Sequence, residues 1–145
     1  MAAVSVFDWP VRVYYEDTDA GGVVYHSQYL NFLERARTEW LRHLGYEQTT
    51  LRDELHIVIV VHSLEIQFKK PARFNDSLSV HLSIVDLGRS SIQFAQQILR
   101  NDETLIEAQV RVACVNAHTF KPTAIPVPIQ QAISSTISKN LMEPA

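Results

Sequence analysis

The chain has 145 residues, of which 46% are apolar and 20% charged, and its net charge is −3 with His neutral. That balance suits one globular domain over residues 1–145, and it excludes a dedicated nucleic-acid binder, whose affinity would rest on many Lys and Arg contacts to phosphate. Cys114 is the only cysteine, so neither an internal disulfide nor a cysteine-based zinc site can form.

The first element is a strand in "WPVRVYYED", where Val11, Val13 and Tyr15 alternate with Arg12, Tyr14 and Glu16 and Pro10 suits the start. The glycines Gly21 and Gly22 then break it. From Ser27 to Leu44 the period changes to that of a helix. Tyr29, Leu33, Ala36, Trp40 and Leu44 form the apolar stripe, with Leu30, Phe32, Arg37 and Leu41 beside it. Ser27 is the expected N-cap, Gly45 the expected left-handed residue past the end, and His43 sits favourably near the negative end. A short helical piece over 49–54 follows. From Ile57 to Asn116 apolar residues alternate as in strands: Leu64, Ile66 and Phe68; Leu78, Val80, Leu82 and Ile84; Ile92 and Phe94; Ile106 through Cys114. "LGRS" at 87–90 and "RNDE" at 100–103 are hairpin turns by composition, so the strands form an antiparallel sheet. "FKPTAIPVP" is too rich in proline for a central strand, and Ile129, Ile133, Ile137 and Leu141 mark a closing helix. The order of strand, long helix and four strands is that of a small α+β domain. One helix covers little of such a sheet, so a homo-oligomer is expected.

The N-terminus lacks the charged start and apolar run of a secretory signal, and no apolar stretch approaches the roughly 20 residues that cross a bilayer. A cytoplasmic protein that does not span a membrane is the expectation.

Chemistry concentrates in "VYYEDTDAGGVVYHSQYLNFLERAR". Asp19 precedes the long helix, whose positive end stabilises an anion and whose free N–H groups can hold an oxyanion. Gly21 and Gly22 let a ligand approach the backbone, while Tyr15, Tyr25 and His26 bring phenols and an imidazole to the same entrance. A carboxylate, an imidazole and a phenol there suit acyl transfer, in which negative charge develops on a carbonyl oxygen. An acidic turn that only bonds its own loop explains "DTD" equally simply. Asp17, Asp19 and His26 could also ligate a metal ion, but their spacing has no metal-ligand specificity, and no metal is expected.

The segment "VRVYYEDTDAGGVVYHSQYLNFLERARTEWLR" and the later "VVHSLEIQFKKPARFNDSLSV" resemble the hotdog-fold acyl-CoA thioesterases related to 4-hydroxybenzoyl-CoA thioesterase. The likeness is strongest to the YbgC subfamily known from bacterial Tol-Pal gene clusters, and it covers about residues 7–128. The resemblance implies a long antiparallel sheet wrapped around one central helix, paired into dimers or tetramers with active sites between subunits. It implies hydrolysis of an acyl thioester to a free acid and coenzyme A, with no cofactor. The substrate is acyl-CoA, with thioesters of acyl carrier protein as an alternative. The family's catalytic residues fall on Asp19, His26 and Tyr15. Asp19 either attacks the carbonyl or serves as general base on water. Backbone N–H groups near Tyr25–Ser27, or near Val60–His62, would hold the oxyanion, and Asp17 would hold the loop. Lys69, Lys70, Arg73 and Arg89 are the candidates for the coenzyme A phosphates. Two other functions stay open at this stage: a hotdog hydratase or dehydratase, and a scaffold for phospholipid-synthesis or envelope proteins with weak activity.

Overall fold

The computed structural model describes residues 7–142, with side chains through 137. Strand β1 (Phe7–Arg12) leads into helix α1 (Gln28–His43) and the short helix α2 (Gln48–Leu55). Strands β2 (Ile57–Phe68), β3 (Ser77–Leu87), β4 (Ser91–Arg100) and β5 (Glu103–Asn116) follow, and helix α3 (Val127–Met142) closes the described chain. All pairings are antiparallel, in the order β1-β3-β4-β5-β2. The register shifts between Val61 and Ser63, Ile84 and Asp86, and Ile98 and Leu99. Each such bulge raises the local twist and bends its strand, which lets one sheet curl around one helix.

The alternation of β3, β4 and β5 survives in their burial: on β4, Ile92, Phe94, Gln96 and Ile98 are buried, and their neighbours are half-buried. On β2, Leu64 and Ile66 are half-buried but Phe68, expected on the same face, is exposed at the end of an outermost strand. The helical stripe also holds, since Tyr29, Phe32, Leu33, Ala36, Trp40 and Leu41 are buried against the sheet. Trp40 meets Phe94 edge to face with ring centroids 5.3 Å apart. Gly45 has φ +99, as a left-handed residue past the helix requires. The most deeply buried polar side chain among the described residues, Gln96, bridges helix and sheet. Gln96 donates from Nε2 to the Leu33 carbonyl at 3.0 Å and accepts from Arg37 Nη1 at 2.9 Å, tying α1 to β4.

Three local expectations are corrected. The first strand ends at Arg12, and Tyr15–Asp17 form a 3-10 turn, because the Asp17 carboxylate accepts the Tyr14 N–H at 2.8 Å and turns the chain. Pro10 lies inside β1 instead of at its start, which an outermost strand tolerates because one side carries no ladder bonds. Ser27 does not cap α1 with its side chain; its backbone is already helical at φ −74 and ψ −18.

Helix α3 docks through Ile129 and Ile133, both buried, with Ile137 beside them and the Gln130 amide donating to the Gly88 carbonyl at 2.7 Å. The side chain of Leu141, expected on the same face, lies outside the described residues. Ile133→Ala is expected to cost about 3 kcal/mol, the usual range for emptying a buried Ile site, as measured by urea unfolding. An unchanged midpoint would show that α3 is not part of the cooperative core.

Candidate active site

The loop before α1 is a short ribbon. Thr18 and Val24 bridge antiparallel, the Asp19 N–H donates to the Val23 carbonyl at 2.9 Å, and the Gly22 N–H donates to the Asp19 carbonyl at 3.0 Å. Gly22 has φ +80, where a side chain is strained. A Cβ on Gly21 would sit 3.2 Å from Asp19 Oδ1, so Gly21 makes room for the carboxylate.

The two aspartates of "DTD" have different surroundings. Asp17 is 4% exposed and accepts twice, from the Tyr14 N–H and from Gln28 Nε2, both at 2.8 Å. Its carbonyl also accepts the Tyr25 N–H, so both the side chain and the backbone of Asp17 hold the helix entrance. Asp19 is exposed. Its Oδ1 accepts the Gly21 N–H at 2.8 Å, and Oδ2 has no hydrogen-bond donor among the described residues. The backbone N–H groups of His26 and Ser27, at the start of α1, likewise have no acceptor among the described residues. That narrows the expected oxyanion donors near Tyr25–Ser27 to two, because the Tyr25 N–H is already used.

A second loop, residues 69–76, is stitched to the first. The Val24 N–H donates to the Ala72 carbonyl at 2.9 Å, Val23 bridges Arg73, and the buried Tyr29 hydroxyl accepts the Ala72 N–H at 3.0 Å. Burial raises the Tyr29 phenol above its ordinary value, and the Asp76 and Asp19 carboxylates add to that push against the hydrogen bond from Ala72. Tyr29 therefore stays neutral. Arg100 anchors the loop's far side, donating to Asp76 Oδ2 at 2.8 Å and Glu103 Oε1 at 2.7 Å. Burial acts to raise the Asp76 carboxyl, but the Arg73 N–H, the Arg100 hydrogen bond and both positive charges outweigh it and hold the carboxyl below the usual range.

Aromatic rings flank both ends of the ribbon that carries Asp19. His26 is exposed and lies between Tyr25 (centroids 4.4 Å apart) and Phe68 (6.5 Å, edge-on). Tyr15 is 76% exposed and stacks on Phe74 at 3.8 Å and 8°, so its ring packs on the second loop instead of lying in a strand. No hydrogen bond joins Asp19, His26 and Tyr15 among the described residues; Tyr15 and His26 lie on either side of the Thr18–Val24 bridge whose ribbon carries Asp19. Lys69 pairs with Glu107 at 3.1 Å and Lys70 with Glu103 at 2.6 Å, both exposed, while Arg73 is exposed on the stitched loop. Arg89 is not brought to the mouth within this subunit. It sits in the turn after β3, eleven residues along that strand, roughly 35 Å away at about 3.3 Å per residue. Gln28, Tyr29, Phe68 and Phe74 are site residues that sequence reasoning missed. Tyr29 and Phe68 follow core periodicities, so nothing separated them from packing residues; Gln28, a polar residue one position inside the helix, was the available signal.

Known proteins resemble this chain over most of its length. The sequence model of the Thioesterase-like superfamily matches residues 13–133. The acyl-CoA thioesterase YbgC of Haemophilus influenzae is 47% identical over 126 residues, covering 87% of this chain and 93% of that protein. The acyl-CoA thioester hydrolase YbgC of Escherichia coli is 46% identical over 123 residues, covering 84% and 91%. A crystal structure described as a probable thioesterase from Bartonella henselae superimposes with a TM-score of 0.79 at 37% identity, covering 82% of this chain and 98% of that one. With a curled antiparallel sheet around one central helix and relatives this similar over this much of the sequence, the chain belongs to the Thioesterase-like superfamily, among its YbgC-type hotdog thioesterases.

Proposed function

We propose that this protein hydrolyses acyl-CoA thioesters at the N-terminus of α1, with Asp19 as the reacting carboxylate. One observation carries this assignment. Asp19 is held by the Gly21 N–H through Oδ1, leaves Oδ2 free, and stands in the loop that leads to the unpaired N–H groups of His26 and Ser27. The thioester carbonyl oxygen would take those two N–H groups, where developing negative charge also gains from the helix dipole. Asp19 Oδ2 either takes a proton from a water that attacks the carbonyl carbon, or attacks that carbon itself to form an anhydride that water then hydrolyses to the free acid; in both, the C–S bond breaks and the coenzyme A thiolate leaves. His26, bracketed by Tyr25 and Phe68, orients the water or the carbonyl. The Tyr15 ring, stacked on Phe74, shapes the mouth.

The phosphates of coenzyme A would meet Arg73 first, because its loop is bonded to the Asp19 ribbon. Lys69 and Lys70 can exchange their surface carboxylate partners for phosphate at little cost, since exposed ion pairs contribute about 0–1 kcal/mol. Arg89 can contribute only to a site in another subunit.

The functional unit is a dimer in this proposal. Strand β2 is outermost, its twelve residues have a free edge, and Val61 and Phe68 are about half exposed. An uncovered edge of that length is a template for a second strand. Two β2 edges pairing antiparallel would join the sheets and set a neighbour beside Phe68. A reducing compartment such as the cytoplasm suits the free thiol of Cys114.

The purified protein, assayed on short, long and aromatic acyl-CoAs for release of free thiol, is expected to hydrolyse at least one class with saturation kinetics. Absence of thiol release from every acyl-CoA, and from acyl-carrier-protein thioesters, would overturn the assignment.

A further inference from the structure

Helix α1 and strand β2 run antiparallel beside each other. Phe68, at the end of β2, meets the Tyr29 ring at the start of α1, with centroids 5.9 Å apart. Farther along, Ile59 and Val61 of β2 line a small solvent-open cleft of about 90 Å³ together with Glu34, Arg37 and Trp40 of α1 and Phe94 beneath.

This cleft is rich in unused donors. The Arg37 guanidinium is half-buried, and its one bond goes to Gln96 Oε1 at 2.9 Å. A guanidinium has five N–H donors, and among the described residues no carboxylate lies within ion-pair distance of this one. Burial disfavours its charge, and Glu34 offsets that only at a distance. The Trp40 indole N–H is buried with no acceptor among the described residues. Glu34, one turn before Arg37, is exposed, and its carboxylate accepts only from the Thr38 hydroxyl at 3.0 Å. A cation left partly desolvated without a counter-charge is costly. Among the described residues of the subunit no carboxylate is paired with it, which leaves room for one from a partner.

The position of the cleft indicates the source. Val61 lies near the middle of the twelve-residue β2. If two β2 edges pair antiparallel, the two-fold axis passes close to that level. The same level of α1 carries Glu34 and Arg37, because both line the cleft with Val61. Two copies of α1 then face each other antiparallel across the axis. In a two-fold interface residue i meets residue j, and j meets i. Opposite charges one turn apart satisfy that rule with themselves.

We propose that Glu34 pairs with Arg37 of the partner subunit, twice per dimer, and that this reciprocal ion pair closes the α1–β2 cleft and selects a second copy of this chain as its occupant. It rests on the dimer proposed above. The pair differs from an ordinary surface bridge because the guanidinium is half-buried before the partner arrives.

The test uses two full-length chains, Glu34→Arg and Arg37→Glu. Each alone sets like charges against each other at both contacts, so its homodimer dissociation constant is expected to rise about tenfold or more, the scale measured for close interfacial charge pairs. Mixed together they set opposite charges at both contacts between chains, while the pair within each chain stays like-charged. Native mass spectrometry of the mixture should therefore show heterodimer well above the statistical half. Glu34 is exposed, so the Glu34→Arg chain should fold. If Arg37→Glu does not fold, Arg37→Gln replaces it, and the heterodimer should still exceed either mutant homodimer. A statistical mixture, or homodimers as tight as the wild type, would overturn the ion pair while leaving the dimer standing. A wild type that is monomeric at micromolar concentration would remove both. An Arg37 variant that stays a tight dimer but loses activity only on acyl groups bearing a carboxylate would reassign the cleft to an anionic acyl group.

Discussion

Asp19→Asn should reduce acyl-CoA hydrolysis by about 10³-fold while leaving the thermal midpoint and circular dichroism unchanged. The size follows from losing a reacting carboxylate, whether as general base, which contributes about 10²–10⁴, or as nucleophile. The selectivity follows from the hydrogen bonds. Among the described residues, the only hydrogen bond of the Asp19 side chain is from the Gly21 N–H to Oδ1, and an asparagine carbonyl oxygen accepts that bond equally well. The ribbon from 18 to 24 keeps its backbone bonds, which do not involve the side chain. Stopped-flow detection of thiol release, beside differential scanning calorimetry, separates the two effects. Wild-type activity in the mutant would mean that the acidic turn only bonds its own loop.

Asp17→Ala should give the opposite signature, a loss of stability of about 4 kcal/mol with activity falling only because the entrance to α1 loosens. Asp17 is buried, and its two oxygens accept from the Tyr14 N–H and Gln28 Nε2. Removing them strands two donors at roughly 1–3 kcal/mol each. For a chain of this size that corresponds to a fall in Tm of about 12 °C. Calorimetry checks it directly. A shift under a few degrees would show that water replaces the carboxylate, and that the 3-10 turn does not depend on it. The pair of variants tests whether adjacent acids two residues apart divide into one for architecture and one for chemistry.

The parts that were legible in the sequence share a physical cause. The stripe from Tyr29 to Trp40 and the alternation from Leu78 to Cys114 are periodic burial patterns, and a period survives whatever the partner surface is. Gly45 was legible because a left-handed residue past a helix leaves few choices. The end of β1 was not, since Tyr14, Tyr15 and Glu16 alternate as a strand would; a side-chain bond from Asp17 to the backbone decides that turn, and periodicity does not record such bonds. Arg89 was grouped with Lys69, Lys70 and Arg73 because all occupy strand ends, yet a strand has two ends, and one sequence does not say which one faces Asp19. The strand order β1-β3-β4-β5-β2 depends on long-range pairing and left no local trace. Within the site, the ring stack of Tyr15 on Phe74 joins residues 59 positions apart, 74 minus 15, which no local motif could suggest.

The ribbon carrying Asp19 and the loop carrying Arg73 share a bridge and the bond from the Val24 N–H to the Ala72 carbonyl, and the second loop is bonded to α1 through Tyr29. Neither loop can therefore open by itself. Local unfolding proceeds in cooperative units, and here the loop proposed to meet phosphate and the ribbon carrying the proposed reacting carboxylate belong to the same one. On the proposed assignment, the span between the two ends of the substrate is set by one bonded piece of protein, and thermal opening would release both ends together instead of letting go of the acyl group while gripping the nucleotide.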